Sequence, residues 1–176
     1  SERPHILDQP WIRLHWACLE QVIRDPAAGT MAFTALAVGD NGTLYAARPF
    51  SGQVIALTDS DGDRLPDMPH ILIDGLTLPS ALTFAEGALY IAGGANVYRW
   101  RDDMLVTLVS DLPTTGRFGV GGLTVHGGRL YVGIGASCQF CDTPDPDRGA
   151  VWSFALDGTN PRIEMRGLLQ PSDLAF

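Results

Sequence analysis

The chain has 176 residues, of which 45% are hydrophobic and 18% charged, and its formal net charge is −8. That is enough apolar material for one packed domain and too little charge for a disordered chain or a coiled coil. All 12 basic residues are arginine, which excludes a lysine Schiff base and a phosphate-loop lysine, and an acidic chain without a basic run makes a poor nucleic-acid binder, so no nucleic-acid partner is expected.

Residues 1–16 carry two prolines, His5, His15, Trp11 and Trp16 without a period, and read as an N-terminal arm on the surface of a larger body. The two tryptophans suit either a partner contact or a folded-back cover. The apolar run Ala17–Ile23 reads as an outer strand lacking a blade of its own. No stretch approaches the roughly 18 apolar residues of a membrane span.

From Thr34 onward one phrase recurs: TALAVGDNGTLYAA, then SALTFAEGALYIAG from Ser80, then GGLTVHGGRLYVGI from Gly121, and a fourth beginning, SDLAF, at Ser172. The equivalent Leu36, Leu82, Leu123 and Leu174 are spaced by 46, 41 and 51 residues. Periods near 40–50 indicate a propeller or a solenoid. Each unit resolves into four short apolar runs. In the first these are Ala35–Val38, Leu44–Ala47, Gln53–Leu57 and Ile71–Leu76. The second has Ala81–Phe84, Leu89–Ala92, Asn96–Trp100 and Val106–Leu112. The third has Gly122–Val125, Leu130–Gly133, Ala150–Leu156 and Arg162–Leu168. Asn41-Gly42, Glu86-Gly87 and Gly127-Gly128 supply hairpin turns between the first two runs of each unit.

The expected fold class is therefore all-β: a β-propeller of four-stranded antiparallel blades. The blades fall at about 34–76, 80–112 and 121–168, and 172–176 supplies the first strand of the next. Residues 17–176 form this partial propeller domain, half of a six-bladed ring. An open arc exposes blade faces and strand edges, so a protein partner or a second copy is expected to complete it.

Two loops carry chemistry. Asp59, Asp61, Asp63 and Asp67 stand at relative positions 1, 3, 5 and 9 of one turn, which suits Ca²⁺ and equally suits a solvated turn. Arg64 and His70 replace the Gly and Glu of an EF-hand. Cys138-Gln-Phe-Cys141 lacks the His of a haem site and the further ligands of a zinc site. The carboxylates around it oppose thiolate formation, which leaves a small-loop disulfide, free thiols or a redox pair in that order. Trp100 and Trp152 read as packing between blades, His70 as a surface or packing residue, and Arg99, Arg101, Asp102 and Asp103 as a solvated hairpin tip.

The segments LYAARPFSGQVIALTDSDGDRLPD, LYVGIGASCQFCDTPDPDRGAVWSFALDGT and RGLLQPSDLAF together resemble the soluble glucose/sorbosone dehydrogenase family, and the cysteine loop resembles its sorbosone branch. The repeat alone also suits NHL-type or gluconolactonase-like propellers. The family resemblance implies a six-bladed fold, pyrroloquinoline quinone (PQQ), Ca²⁺, a sugar ligand and a periplasmic or extracellular setting. It also implies a His as general base five residues before a first-strand Leu, and an Arg-Asn-Pro phrase before an LAF strand. Phe118 occupies the first position and Leu169-Gln170-Pro171 the second; a slip of one residue puts Arg117 at the former. His126 lies beyond the strand, in the Gly127-Gly128 hairpin. The expected function is a binding or assembly subunit without catalytic residues, the alternative being an active PQQ-dependent sugar dehydrogenase with its chemistry in other blades. A propeller hydrolase with a channel metal is a third reading.

Overall fold

The structure, a computed structural model, describes residues 33–62, 67, 69–140 and 145–176. The N-terminal arm, the run Ala17–Ile23, Asp63 and Cys141 lie outside these residues.

Twelve strands alternate with tight turns, and the described residues include no α-helix. The first sheet holds β1 (Ala35–Val38), β2 (Leu44–Arg48), β3 (Gln53–Leu57) and β4 (His70–Ile73) in sequential antiparallel order. The second repeats this order with β5 (Pro79–Ala85), β6 (Ala88–Gly93), β7 (Asn96–Arg101) and β8 (Met104–Val109). The third does so with β9 (Val120–His126), β10 (Arg129–Ile134), β11 (Ala150–Ala155) and β12 (Arg162–Arg166). The turns follow from composition. Glu86 and Gly87 take φ of 51° and 70°, and Gly127 and Gly128 take 54° and 71°, the positive values that a two-residue hairpin matched to strand twist requires.

These sheets are propeller blades. Their first strands lie innermost and adjacent, β1 against β5 and β5 against β9. Alternate side chains of each strand enter alternate seams. Tyr45, Ala47 and Val54 of blade one meet Leu82, Leu89 and Ile91 of blade two. On the other face of blade two, Tyr90 and Val97 meet Leu130, Val132 and Phe154 of blade three. Each fully buried Leu or Ile in such a seam contributes about 1.5–3 kcal/mol. Trp100 and Trp152 are half-buried against these same seams, as the sequence indicates. The far face of blade one buries Ala46, Ile55 and Leu57 with Phe33 and Leu44.

Hydroxyl groups stitch the inner strands together. Thr34 Oγ1 donates to the carbonyl of Pro79 at 3.3 Å, and Ser80 Oγ, at the equivalent position of blade two, donates to Val120 at 2.9 Å. At the third equivalent position Gly121 lies so close to the Pro171 carbonyl that an added Cβ would stand 2.5 Å from it.

Three outer strands end earlier than the apolar runs suggest: β4 at Ile73 rather than Leu76, β8 at Val109 rather than Leu112, β12 at Arg166 rather than Leu168. The leucines fold back instead. The amides of Leu76, Leu112 and Leu168 donate to the carbonyls of Gly52, Ala95 and Gly149 at 2.9, 2.9 and 2.8 Å, which closes the end of each blade. Residues 172–176 carry no ladder among the described residues, while Ser172 and Asp173 border the same hollow as the inner-strand residues Leu36, Leu82 and Leu123. In each blade the inner strand is paired by the strand that follows it.

Candidate functional site

Strand alternation puts the segment before β9, the β10–β11 loop and the segment after β12 at one end of blade three. There, four backbone bonds weave a rim. The amide of Arg117 donates to Ser137 at 2.9 Å, Gly135 to Gly119 at 2.9 Å, Ala136 to Leu169 at 2.8 Å and Leu168 to Gly149 at 2.8 Å. The expected catalytic positions 118 and 169 are thus brought to the same rim, joined through Ala136. Phe118 is half-buried, packed directly on Gly135, with the Arg117 guanidinium 5.6 Å from its ring centroid. Leu169 and Gln170 are exposed.

At the centre of the rim is a residue that the sequence reading did not single out. Arg148 is 5% exposed. Its Nε donates to the Gly135 carbonyl at 3.0 Å, and its Nη2 donates to Ala136 at 3.2 Å and to Phe118. Nη1 is buried without a hydrogen-bond partner. Burial pushes this guanidinium below its ordinary pKa, and Asp145 partly offsets that. Arg148 directly precedes Gly149 and β11, so the available signal was a charged residue opening an otherwise apolar strand. Beside it lies a hollow of about 250 Å³ lined by Ser137, Cys138, Asp145, Arg148 and Leu168. Cys138 is half-buried and engaged. Its expected partner Cys141 lies outside the described residues.

The inner strands border an axial hollow of about 300 Å³ lined by Thr34, Leu36, Ser80, Leu82, Gly121, Ser172 and Asp173, among others. Among the described residues Asp173 is its one titratable side chain, and Asp173 Oδ1 accepts the Leu174 amide at 2.8 Å. His126 sits at the opposite end of β9 from Phe118, stacked on Phe176 at 4.4 Å. His70 opens the outer strand β4. Neither imidazole lines the axial hollow.

The acidic loop joins β3 to β4, and antiparallel alternation places it at the end opposite the Phe118 rim. Oxygen atoms of Asp59, Asp61 and Asp67 lie within 4.8 Å of one another. The loop is closed by its own bonds: the Asp67 amide donates to Thr58 at 2.8 Å, the Ser60 amide to Asp67 Oδ2 at 2.6 Å, and the Gly62 amide to Asp59 Oδ1 at 2.7 Å. The Asp157-Gly158 pair beyond the cysteine loop is a turn device. Thr159 donates its amide (2.9 Å) and hydroxyl (2.6 Å) to Asp157 Oδ1, which holds that carboxyl below the usual carboxylate range. Gly158, at φ +85°, lies against the Leu108 carbonyl of blade two.

The class of protein follows from this arrangement: the described residues form a β-propeller arc of three blades. No protein-family model matches it, and no curated protein matches it. Among solved structures it is similar to the PQQ domain of pyranose dehydrogenase from Coprinopsis cinerea in its holo form, at 11% identity and a TM-score of 0.58, covering 82% of this chain and 37% of that one. It is also similar to a chain of a nidogen/laminin complex, at 16% identity and a TM-score of 0.55, covering 74% of this chain and 47% of that one. The chain thus spans less than half the length of either, and the likeness is one of fold. No helix among the described residues is long and apolar enough to cross a membrane.

Arg148 is expected to hold the rim. Arg148→Ala should lower unfolding free energy by roughly 2–4 kcal/mol, because several buried carbonyls lose a charged donor. Arg148→Lys should recover only a minor part, since an ammonium cannot reproduce the fork. Urea unfolding measures both, and a loss under about 0.5 kcal/mol for the alanine variant would contradict this role.

Proposed function

We propose that this chain is an extracytoplasmic, non-catalytic binding or assembly module, related in design to the PQQ-dependent glucose/sorbosone dehydrogenases. The observation that carries this reading is Phe118. At the position where the resemblance asks for a general base stands Phe118, whose Cβ lies against Gly135, in a rim where Arg148 donates to backbone carbonyls. A ring cannot accept the proton that must leave a sugar hydroxyl as hydride departs. The residues present do not fit the quinone either. Its acidic groups need cations, whereas among the described residues the one titratable group lining the axial hollow is the Asp173 carboxylate. Leu169, at the family's Arg position, carries no charge. With PQQ, Ca²⁺ and a panel of aldoses, dye reduction should stay at the blank rate. Turnover more than about 10-fold above it would support the second reading, an active PQQ-dependent sugar dehydrogenase with its chemistry in other blades. One observation favours that alternative: the likeness in fold to a PQQ domain.

The acidic loop belongs to the same proposal as a structural Ca²⁺ site. Carboxylates of Asp59, Asp61 and Asp67, with Asp63, form the hard-oxygen set that Ca²⁺ takes, and the ion would relieve repulsion among them. Calorimetric titration should show saturable Ca²⁺ binding in the parent, of the order of 0.1–1 mM as in extracellular modules, and loss of it in Asp61→Ala. Absence of heat in the parent rejects the site.

The third part is a Cys138–Cys141 bridge, in keeping with an oxidising compartment. Intact mass after alkylation without reductant should show both thiols protected, and labelling at both positions would refute the bridge.

A further inference from the structure

A buried guanidinium with an unused donor is uncommon, because a charged group without a partner in a dry site is costly. Arg148 is such a group. Its Nε and Nη2 are taken up by the Gly135, Ala136 and Phe118 carbonyls, and Nη1 is buried without a hydrogen-bond partner. Gly116 lies beside Nη1 and brings no side chain to it: a Cβ there would stand 2.9 Å away.

Arg148 borders the hollow of about 250 Å³ at this end of blade three, and so does a second guanidinium. The β11–β12 register sets Arg166 opposite Ala150, two residues beyond Arg148, and the Leu168–Gly149 bond turns the chain back over the same end. Arg166 Nε donates to the Pro146 carbonyl at 3.0 Å. Arg166 is exposed and Arg148 buried, so one charge is fixed in the wall and the other is reachable from solvent. Asp145 is the one carboxylate of the lining, and its Oδ1 accepts the Asp147 amide at 3.0 Å. Two guanidiniums against one carboxylate leave a single positive charge in excess. Ala136, Pro146 and Leu168 give the hollow apolar walls.

We infer that this hollow is a binding site for a small organic monocarboxylate. The carboxylate meets Arg148 Nη1 and the Arg166 guanidinium, and a short apolar body lies on Ala136, Pro146 and Leu168. Arginine is the side chain whose donors best match a carboxylate. A monoanion cancels the excess charge, whereas phosphate or sulfate brings a second negative charge toward Asp145 and offers nothing to the apolar walls. Apolar walls with a few convergent polar groups are the usual form of a small-molecule site. The site shares no lining residue with the axial hollow, and it goes beyond the reading above, standing whether the chain is catalytic or not.

The test is a titration of the whole isotope-labelled chain with sodium butanoate, followed by NMR at constant ionic strength. Saturable shifts should appear at the Gly135, Gly149 and Leu168 amides and at the Arg148 Nε–H. Half-saturation is expected on the order of 1 mM, well inside what a ligand of about six heavy atoms can reach. Butan-1-ol keeps the apolar body and lacks the charge; sulfate keeps charge and lacks the body. Each should bind at least about 10-fold more weakly than butanoate. Arg148 variants disturb the rim itself, so the informative substitution is Arg166→Gln. It should weaken butanoate binding about 5-fold or more while leaving the urea midpoint unchanged, because Arg166 is exposed. No saturable shift up to about 100 mM butanoate, butan-1-ol or sulfate binding as tightly, or indifference to Arg166→Gln would each overturn the inference. The readout is independent of dye reduction: turnover with PQQ would remove the non-catalytic reading and leave this one standing.

Discussion

A four-stranded sheet with apolar residues on both faces cannot stand alone in water, and that constraint organises this molecule. The strands of blade two alternate so strictly that Leu89 and Ile91 enter one seam while Tyr90 and Ala92 enter the other. Only a neighbouring blade on each side removes both sets from water. The seams then need no long side-chain network. A hydroxyl reaching the next inner strand, from Thr34 and again from Ser80, fixes their height relative to one another. Where Gly121 takes that place, the hydroxyl is replaced by close backbone approach to Pro171, a contact that any Cβ would obstruct.

Much of this was legible in the sequence, because repetition averages over local ambiguity. A single apolar run of five residues is as compatible with a buried helix turn as with a strand. The same run returning after Asn-Gly, Glu-Gly and Gly-Gly turns, at intervals near one blade length, is not. Less legible were the strand ends. Leu76, Leu112 and Leu168 look like strand residues because they are apolar, yet their amides turn back to the β2–β3 type loops. Hydrophobicity reports burial and is silent about which carbonyl an amide meets. Arg148 was invisible for the converse reason. A charged residue reads as surface, and only the convergence of two segments with spare carbonyls, at Phe118 and at Gly135-Ala136, makes burying it favourable.

The acidic loop shows where sequence spacing is a good guide and where it stops. Alternate Asp residues in a tight turn were expected to converge, and three of them do. The spacing gave no warning that Ser60 and Gly62 would already engage Asp67 and Asp59. Such bonds pre-shape the turn and place its carboxylates at the end of blade one away from the Phe118 rim. The carboxylates of this loop and the Phe118 rim are in this way kept apart.

That separation bears on what the arc is built to do. Proton transfer at the axis of a propeller needs a titratable group whose lone pair or proton is not already committed. On the rim of blade three the positions at which the family resemblance would ask for such a group hold Phe118 and Leu169, and Arg148 donates to the Phe118, Gly135 and Ala136 carbonyls. The same three bonds make the rim stiff and carry the Ala136–Leu169 link into the segment that lays Pro171–Phe176 across the open face.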